Sequence, residues 1–215
     1  MRTSLIAAAL FAAIPAAALA ADMKFETYTS DDPILSLGKV GFSGGKTVDL
    51  TVGIGSAAFR HPSDPPDMVY TLSDRGPNFT PGAARKITGV EGKTICDGVK
   101  NCRIYPVPRY SPSIYRVKLA NDGKFWITDV ISIKDANGVP VSGMTNPLTV
   151  ATTENPVDGN GKKLKQDPNS IDAEGLVKLS DGSFWIGEEN APSILHVAAD
   201  GRILKRIVPT GTEKD

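Results

Sequence analysis

Apolar and polar residues alternate along several stretches of the chain, and in three of them the alternation is broken by Asp-Gly. Val117-Lys118-Leu119 leads through Ala120-Asn121-Asp122-Gly123-Lys124 into Phe125-Trp126-Ile127, and Val177-Lys178-Leu179 leads through Ser180-Asp181-Gly182-Ser183 into Phe184-Trp185-Ile186. A period of two puts every second side chain on one face of a strand, and Asp-Gly supplies the positive φ of a tight reversal, so each segment predicts an antiparallel hairpin. Val197-Ala198-Ala199-Asp200-Gly201-Arg202-Ile203-Leu204 is a fainter copy. Trp126 and Trp185 are expected at equivalent packing positions.

A second echo runs alongside the first. Pro112-Ser113-Ile114-Tyr115-Arg116-Val117 matches Pro192-Ser193-Ile194-Leu195-His196-Val197, and Val69 to Pro77 loosely matches Phe184-Trp185-Ile186-Gly187-Glu188-Glu189-Asn190-Ala191-Pro192. The shared pattern is an apolar strand, an acidic residue, then proline three positions later. Repeated hairpins with further strand-like runs between them predict an all-β fold, a β-propeller. Roughly a dozen strands, from residues 23–29 to residues 203–208, amount to three to four blades at four strands each. That count, with a sequence ending just after a strand, predicts an incomplete propeller. An ordinary β-sandwich with two similar hairpins is the alternative.

Composition narrows the classes. The 215 residues carry 24 Lys+Arg and 24 Asp+Glu, a net charge of zero, which argues against the basic face that nucleic-acid binding requires. With 40% hydrophobic and 22% charged residues the chain can build a core, while 21 glycines and 16 prolines favour many short elements over long helices. Met1-Arg2-Thr3, the apolar residues 5–19 and the ending Ala18-Leu19-Ala20 have the layout of a secretory signal peptide, which assigns residues 1–20 to a leader and 21–215 to one exported domain, periplasmic or extracellular. Nothing else is long or apolar enough to span a bilayer. In an oxidising compartment the lone pair Cys96 and Cys102 predicts a disulfide; zinc motifs pair cysteines more closely and need further ligands nearby.

Ser73-Asp74-Arg75-Gly76-Pro77, Pro112-Ser113-Ile114-Tyr115-Arg116, Asp172-Ala173-Glu174-Gly175-Leu176 and Glu189-Asn190-Ala191-Pro192-Ser193-Ile194 occur in an order that resembles the phytase-like family of exported bacterial proteins, described by an esterase-like activity of phytase. The resemblance covers residues 53–208. It implies a β-propeller and, more loosely, hydrolysis of phosphate esters or other esters, while a shared fold alone does not fix the reaction.

The candidate chemistry is carboxylate chemistry. Asp172 and Glu174 lie two apart and point to one side of an extended strand, whereas Glu188 and Glu189 are adjacent and point to opposite sides. In the repeat Glu189 takes the place of Asp74 and Glu188 that of Ser73. Asp74, Glu174 and Glu189 are therefore expected to face one funnel, with Asp172 and Glu188 as weaker metal candidates. Clustered carboxylate oxygens suit a hard divalent cation, Ca²⁺ first, that binds phosphate and activates water. Asp74, Glu174 and Glu189, with Arg75 as a guanidinium fork for phosphate, form the candidate catalytic set. Acidic residues at strand ends also cap turns, which is the simpler reading for Asp122, Asp181 and Asp200. A serine-hydrolase reading lacks a base, because His196 stands opposite the core face and His61 sits in a proline-rich loop. Residues 152–169, polar and rich in Gly, Lys and Asp, read as a solvated excursion between blades. The rival to a hydrolase of small ester substrates is a non-catalytic propeller that binds a ligand or a partner protein.

Overall fold

The computed structural model of the chain describes residues 24–44, 46–148 and 152–212. The leader expected over residues 1–20 lies outside the described residues. The architecture is mostly β, with twelve strands among the described residues. The largest sheets are two four-stranded antiparallel meanders. The first is formed by β3 (Ala57–Phe59), β4 (Met68–Leu72), β6 (Ser113–Leu119) and β7 (Phe125–Ser132), and the second by β9 (Ala173–Lys178), β10 (Phe184–Glu188), β11 (Ser193–Val197) and β12 (Ile203–Ile207), each in sequential order. Two smaller sheets pair β1 (Ser36–Gly41) with β2 (Thr47–Thr51), and β5 (Cys102–Ile104) with β8 (Asn155–Val157), the latter in parallel. None of these sheets closes on itself. Residues 24–29 contribute only an isolated bridge from Thr29 to Lys124, not the first strand expected there.

Both Asp-Gly hairpins form. Val117 pairs with Ile127 across β6 and β7, and Val177 pairs with Trp185 across β9 and β10. The reversals pass through Gly123 at φ 77° and Gly182 at φ 87°, a region in which Cβ strains most residues. Their places in the sheets differ, however. The first hairpin forms strands three and four of its meander, the second strands one and two. The equivalent elements are those of the second echo: β4 matches β10, and β6 matches β11. Both tryptophans point away from the Phe/Ile side of their hairpins, half-buried at Phe125 and Ile127 and buried at Phe184 and Ile186. Trp126 is 46% exposed on an edge strand, while Trp185 stacks on His196 with ring centroids 4.7 Å apart.

The main core fills the space between the two meanders. Tyr70, Leu72 and Ile114 from the first sheet meet Leu176, Phe184, Ile186, Leu195 and Val197 from the second. These residues occupy alternate strand positions, as the period predicts, and truncating any one of the fully buried aliphatics is worth about 2–5 kcal/mol. The first strand of each sheet, β3 and β9, lie side by side. This contact brings the end of β4 near the start of β9.

Between β4 and β6 the chain departs from the repeat. Pro81 opens α1 (Pro81–Thr88), and Gly89, at φ 76°, returns its N–H to the Arg85 carbonyl and ends it. A short turn, α2 (Gly92–Ile95), follows so closely that a Cβ on Gly92 would lie 2.0 Å from the Pro81 carbonyl oxygen. The Cys96–Cys102 disulfide forms, with Cα atoms 5.9 Å apart, and joins the end of α2 to β5. Phe42, Phe79, Ala84, Ile95, Ile104 and Val157 pack around it as a second core.

Candidate functional site

The site begins where β4 ends. Ser73 is fully buried, and its Oγ accepts the Ser113 N–H at 3.0 Å, extending the β4–β6 pairing through a side chain. Asp74 then folds back to accept the Gly76 N–H at 2.8 Å, an Asx-type turn. Gly76 has φ 85°, and the Tyr110 ring lies 2.2 Å from the point where a Cβ would stand. On the other side, a Cβ on Gly143 would sit 2.0 Å from the Arg75 carbonyl oxygen. Two close backbone approaches therefore hold Asp74 and Arg75 in place. Tyr110 and Tyr115 are buried beside this turn, and burial pushes both phenols up, so they remain neutral.

The second sheet supplies the other wall. Near Gly187 the β9–β10 register slips: Gly175 faces Gly187, but Ala173 faces Glu188. The ladder ends at Asp172, whose carbonyl accepts the Glu189 N–H at 3.1 Å and whose N–H donates to Glu188 Oε1 at 3.1 Å. The Asp172 carboxylate is then received by Arg75 twice, through the backbone N–H at 3.2 Å and through Nε at 3.0 Å. This fork ties the turn after β4 to the start of β9.

Asp74, Asp172 and Glu174 each offer a carboxylate oxygen, and the three oxygens lie within 4.8 Å of one another. Burial is graded: Asp172 is buried, Asp74 half-buried and Glu174 exposed. Desolvation pushes Asp172 up to about 6; Arg75 pulls it down, and the charges of Asp74 and Glu189 push it up again. Glu174 is also raised, by burial first and then by Asp172, Glu189 and Asp74, with Ser56 opposing. Like charges are thus held close enough to oppose one another's ionisation. Three carboxylates graded toward solvent fit a hard cation that takes oxygen ligands and completes its shell with water.

The expected trio is brought together in altered form. Asp74 and Glu174 share the site, but the third member is Asp172; Glu189 is exposed and stands outside the trio, where its charge is still felt. Glu188 takes no place there. Its carboxylate is buried and accepts the N–H groups of Asp172, Asn190 and Ala191 at 2.9–3.1 Å, so its oxygens hold the loop after β10. A buried carboxylate with several amide donors is a structural anchor.

Arg75 is also occupied differently from a free phosphate fork. Besides Asp172 it holds Glu154, NH1 to Oε2 at 2.9 Å, and the Tyr105 hydroxyl at 3.0 Å. Arg103 forms an ion pair with the other oxygen of Glu154, Nε to Oε1 at 3.2 Å, and Tyr105 is in turn held by Thr145 Oγ1 at 2.9 Å. None of Glu154, Arg103, Tyr105 and Thr145 stands out in the sequence. Glu154 belongs to the segment read as a solvated excursion, yet that segment forms β8 and buries Val157 completely. His196 stacks on Trp185 and bonds Ser183 Oγ at 3.1 Å, in keeping with its place opposite the core face.

No solved structure matches the chain significantly. An uncharacterized secreted protein from Arthroderma benhamiae is 29% identical over a 96-residue alignment that covers 39% of this chain and 18% of that protein. The chain thus spans under a fifth of that relative's length. Among the described residues no helix is long and apolar enough to cross a membrane. The family model described as phytase-like, esterase-like activity of phytase, matches residues 56–215, a span that contains Asp74, Arg75, Glu154, Asp172 and Glu174. On that match, which takes in most of the chain, the protein belongs to the phytase-like family.

Proposed function

We propose that the protein is an exported hydrolase of phosphate esters or related esters, and that Asp74, Asp172 and Glu174 hold a divalent cation, Ca²⁺ by their all-oxygen chemistry. The observation that carries this reading is the convergence of three carboxylates from two sheets within 4.8 Å, with Asp172 and Glu174 both harder to ionise than usual. Such an arrangement costs stability without a counter-charge, and Arg75 offsets only part of it. When bound, the cation supplies positive charge for an ester oxygen and lowers the pKa of water. Arg75 fixes the buried Asp172, while Glu174 and Glu189 face solvent at the rim, where a substrate arrives.

Export is supported by the leader-like residues 1–20, by the Cys96–Cys102 disulfide, and by the relative's description as secreted. The propeller reading is supported by two meanders packed with their first strands side by side. The opposite face of the second meander, bearing Val177, Ile194 and Ile207, is 42–51% exposed and suits a further sheet. A second function, ligand binding without catalysis, is favoured by one observation: Arg75 is committed to Asp172 and Glu154.

Hydrolysis of p-nitrophenyl phosphate and p-nitrophenyl acetate by the chelator-treated chain, with and without added Ca²⁺, tests the proposal. Ca²⁺-dependent turnover that an Asp74→Asn/Glu174→Gln double variant loses supports a hydrolase. Ca²⁺ binding by calorimetry without turnover supports the binding function, and absence of both overturns the cation site.

A further inference from the structure

The ion network behind the carboxylates has a feature the proposed chemistry does not use. Arg75 lies between two acidic partners, Asp172 at 3.0 Å from Nε and Glu154 at 2.9 Å from NH1, and its side chain is 10% exposed. Its position is therefore a balance. Pulled toward Asp172, its charge neutralises the carboxylate trio; held by Glu154, part of that charge is balanced elsewhere. Glu154 is itself well fixed, by Arg103 Nε at 3.2 Å and by the Tyr105 hydroxyl at 3.3 Å. These partners sit in or next to β5, which pairs with β8 just after Glu154 and is stapled by the Cys96–Cys102 bridge.

We propose that Glu154 is a positioning residue: it holds Arg75 by its outer nitrogen and so limits how far the Arg75 charge offsets the Asp74–Asp172–Glu174 group, which sets that group's affinity for a divalent cation. The inference rests on the cation reading for its consequence and on the ion pairs for its cause. In poorly hydrated surroundings a single unit charge a few ångströms away is strongly felt. Glu154→Gln keeps the side chain's shape and one acceptor oxygen but leaves the Arg75 charge unbalanced.

The test is a double-mutant cycle on the full chain with Glu154→Gln, Arg75→Gln and the pair, each checked for native circular dichroism. Ca²⁺ affinity is measured by calorimetry, with Mn²⁺ as a second probe. Glu154→Gln is expected to weaken Ca²⁺ binding about tenfold in the native background and to have little further effect once Arg75 is Gln. Glu154→Asp, which retains the charge, should recover most of the affinity. An equal loss in both backgrounds would show that Glu154 acts through space and not through Arg75, and no loss in either would remove it from the site; both overturn the proposal. Denaturant unfolding of the same four proteins in chelator reads the pair without any cation, and additive effects there also overturn it. If the native chain binds no divalent ion, the cation reading falls and the affinity role of Glu154 with it; the unfolding cycle then decides the positioning of Arg75 alone.

Discussion

Two turns in this molecule occupy the same place in the repeat and do different things. Ser73-Asp74-Arg75-Gly76-Pro77 follows β4, and Glu188-Glu189-Asn190-Ala191-Pro192 starts at the last residue of β10, with Leu72 paired to Ile114 in one sheet as Gly187 is to Ile194 in the other. In the second turn the buried acid does the holding: Glu188 gathers three backbone amides, and Glu189 is left in solvent. In the first turn a serine hydroxyl and a glycine share the holding, and Asp74, which gives one oxygen to the Gly76 N–H, still faces Asp172 and Glu174. With Ser73 sharing the anchoring, Asp74 spends one hydrogen bond on its turn and remains in the carboxylate group, whereas Glu188 spends its carboxylate on three amides. Equivalent position in a repeat preserves place, not role.

The sharpest way to break the comparison is to exchange the fourth residues of the turns. Gly76→Ala puts a Cβ into the left-handed region and against the Tyr110 ring, whose nearest atom would be 2.2 Å away. Backbone strain and overpacking together should cost about 4 kcal/mol. Ala191→Gly, at the matching site, should cost under about 1 kcal/mol, since it chiefly frees the unfolded chain. Denaturant unfolding of both variants checks the contrast, and similar losses would mean that the turns are built alike.

The anchoring acids come next. Glu188→Ala removes a buried carboxylate and leaves the N–H groups of Asp172, Asn190 and Ala191 without their acceptor, for a loss of about 3 kcal/mol. Ser73→Ala removes one acceptor and should cost about 1 kcal/mol. Unfolding curves decide this as well; a Glu188 variant as stable as the native chain would show that its carboxylate is not the anchor.

The sequence carried the correspondence of these turns because both end in proline and both follow a strand of the same register. It did not separate Glu188 from a metal ligand, since which oxygen finds an amide depends on the register slip at Gly187, and Gly175 and Gly187 carry no side chain to announce it. The hairpin echo was legible as local structure but misleading as to place, because Asp-Gly marks a reversal wherever it falls in a sheet. Asp122 and Asp181 each accept the N–H two residues on, as turn formers do. Glu154 was hidden for another reason: its partners Arg75 and Arg103 lie 79 and 51 residues away in sequence, and no periodicity marks a long-range ion pair. Pro81 and Gly89 bracket α1 as start and stop signals, but the helix falls inside the first meander, between β4 and β6, where nothing in the repeat has a counterpart for it.

The trio itself can be probed through pH. Asp172, ordinarily near 3.8, is pushed up to about 6 in the folded protein, so between those values the folded state holds a proton that the unfolded chain has released. Stability therefore falls as pH rises through this window, by an amount on the order of 3 kcal/mol at about 1.4 kcal/mol per unit. Asp172→Asn should remove that slope. Added Ca²⁺ should reverse the native slope, because the cation favours the ionised form. A native unfolding free energy that rises from pH 4 to pH 6 without Ca²⁺ would show that Arg75 outweighs burial at Asp172.

The smallest effect distinguishes the exposed acid of the second turn from the buried one beside it. Among the described residues the Glu189 side chain has no hydrogen-bond partner, so Glu189→Gln should change stability at pH 7 by no more than about 0.5 kcal/mol. Its charge nevertheless raises both Asp172 and Glu174, and removing it should move both toward lower pKa. Carboxyl carbon shifts followed by NMR across pH 3–8 measure this directly. The sign matters more than the size: a lowered pKa at both residues places Glu189 within the field of the site though outside the trio. Unchanged titrations would leave it a solvent-facing residue, and the correspondence between Asp74 and Glu189 would then extend to backbone position alone.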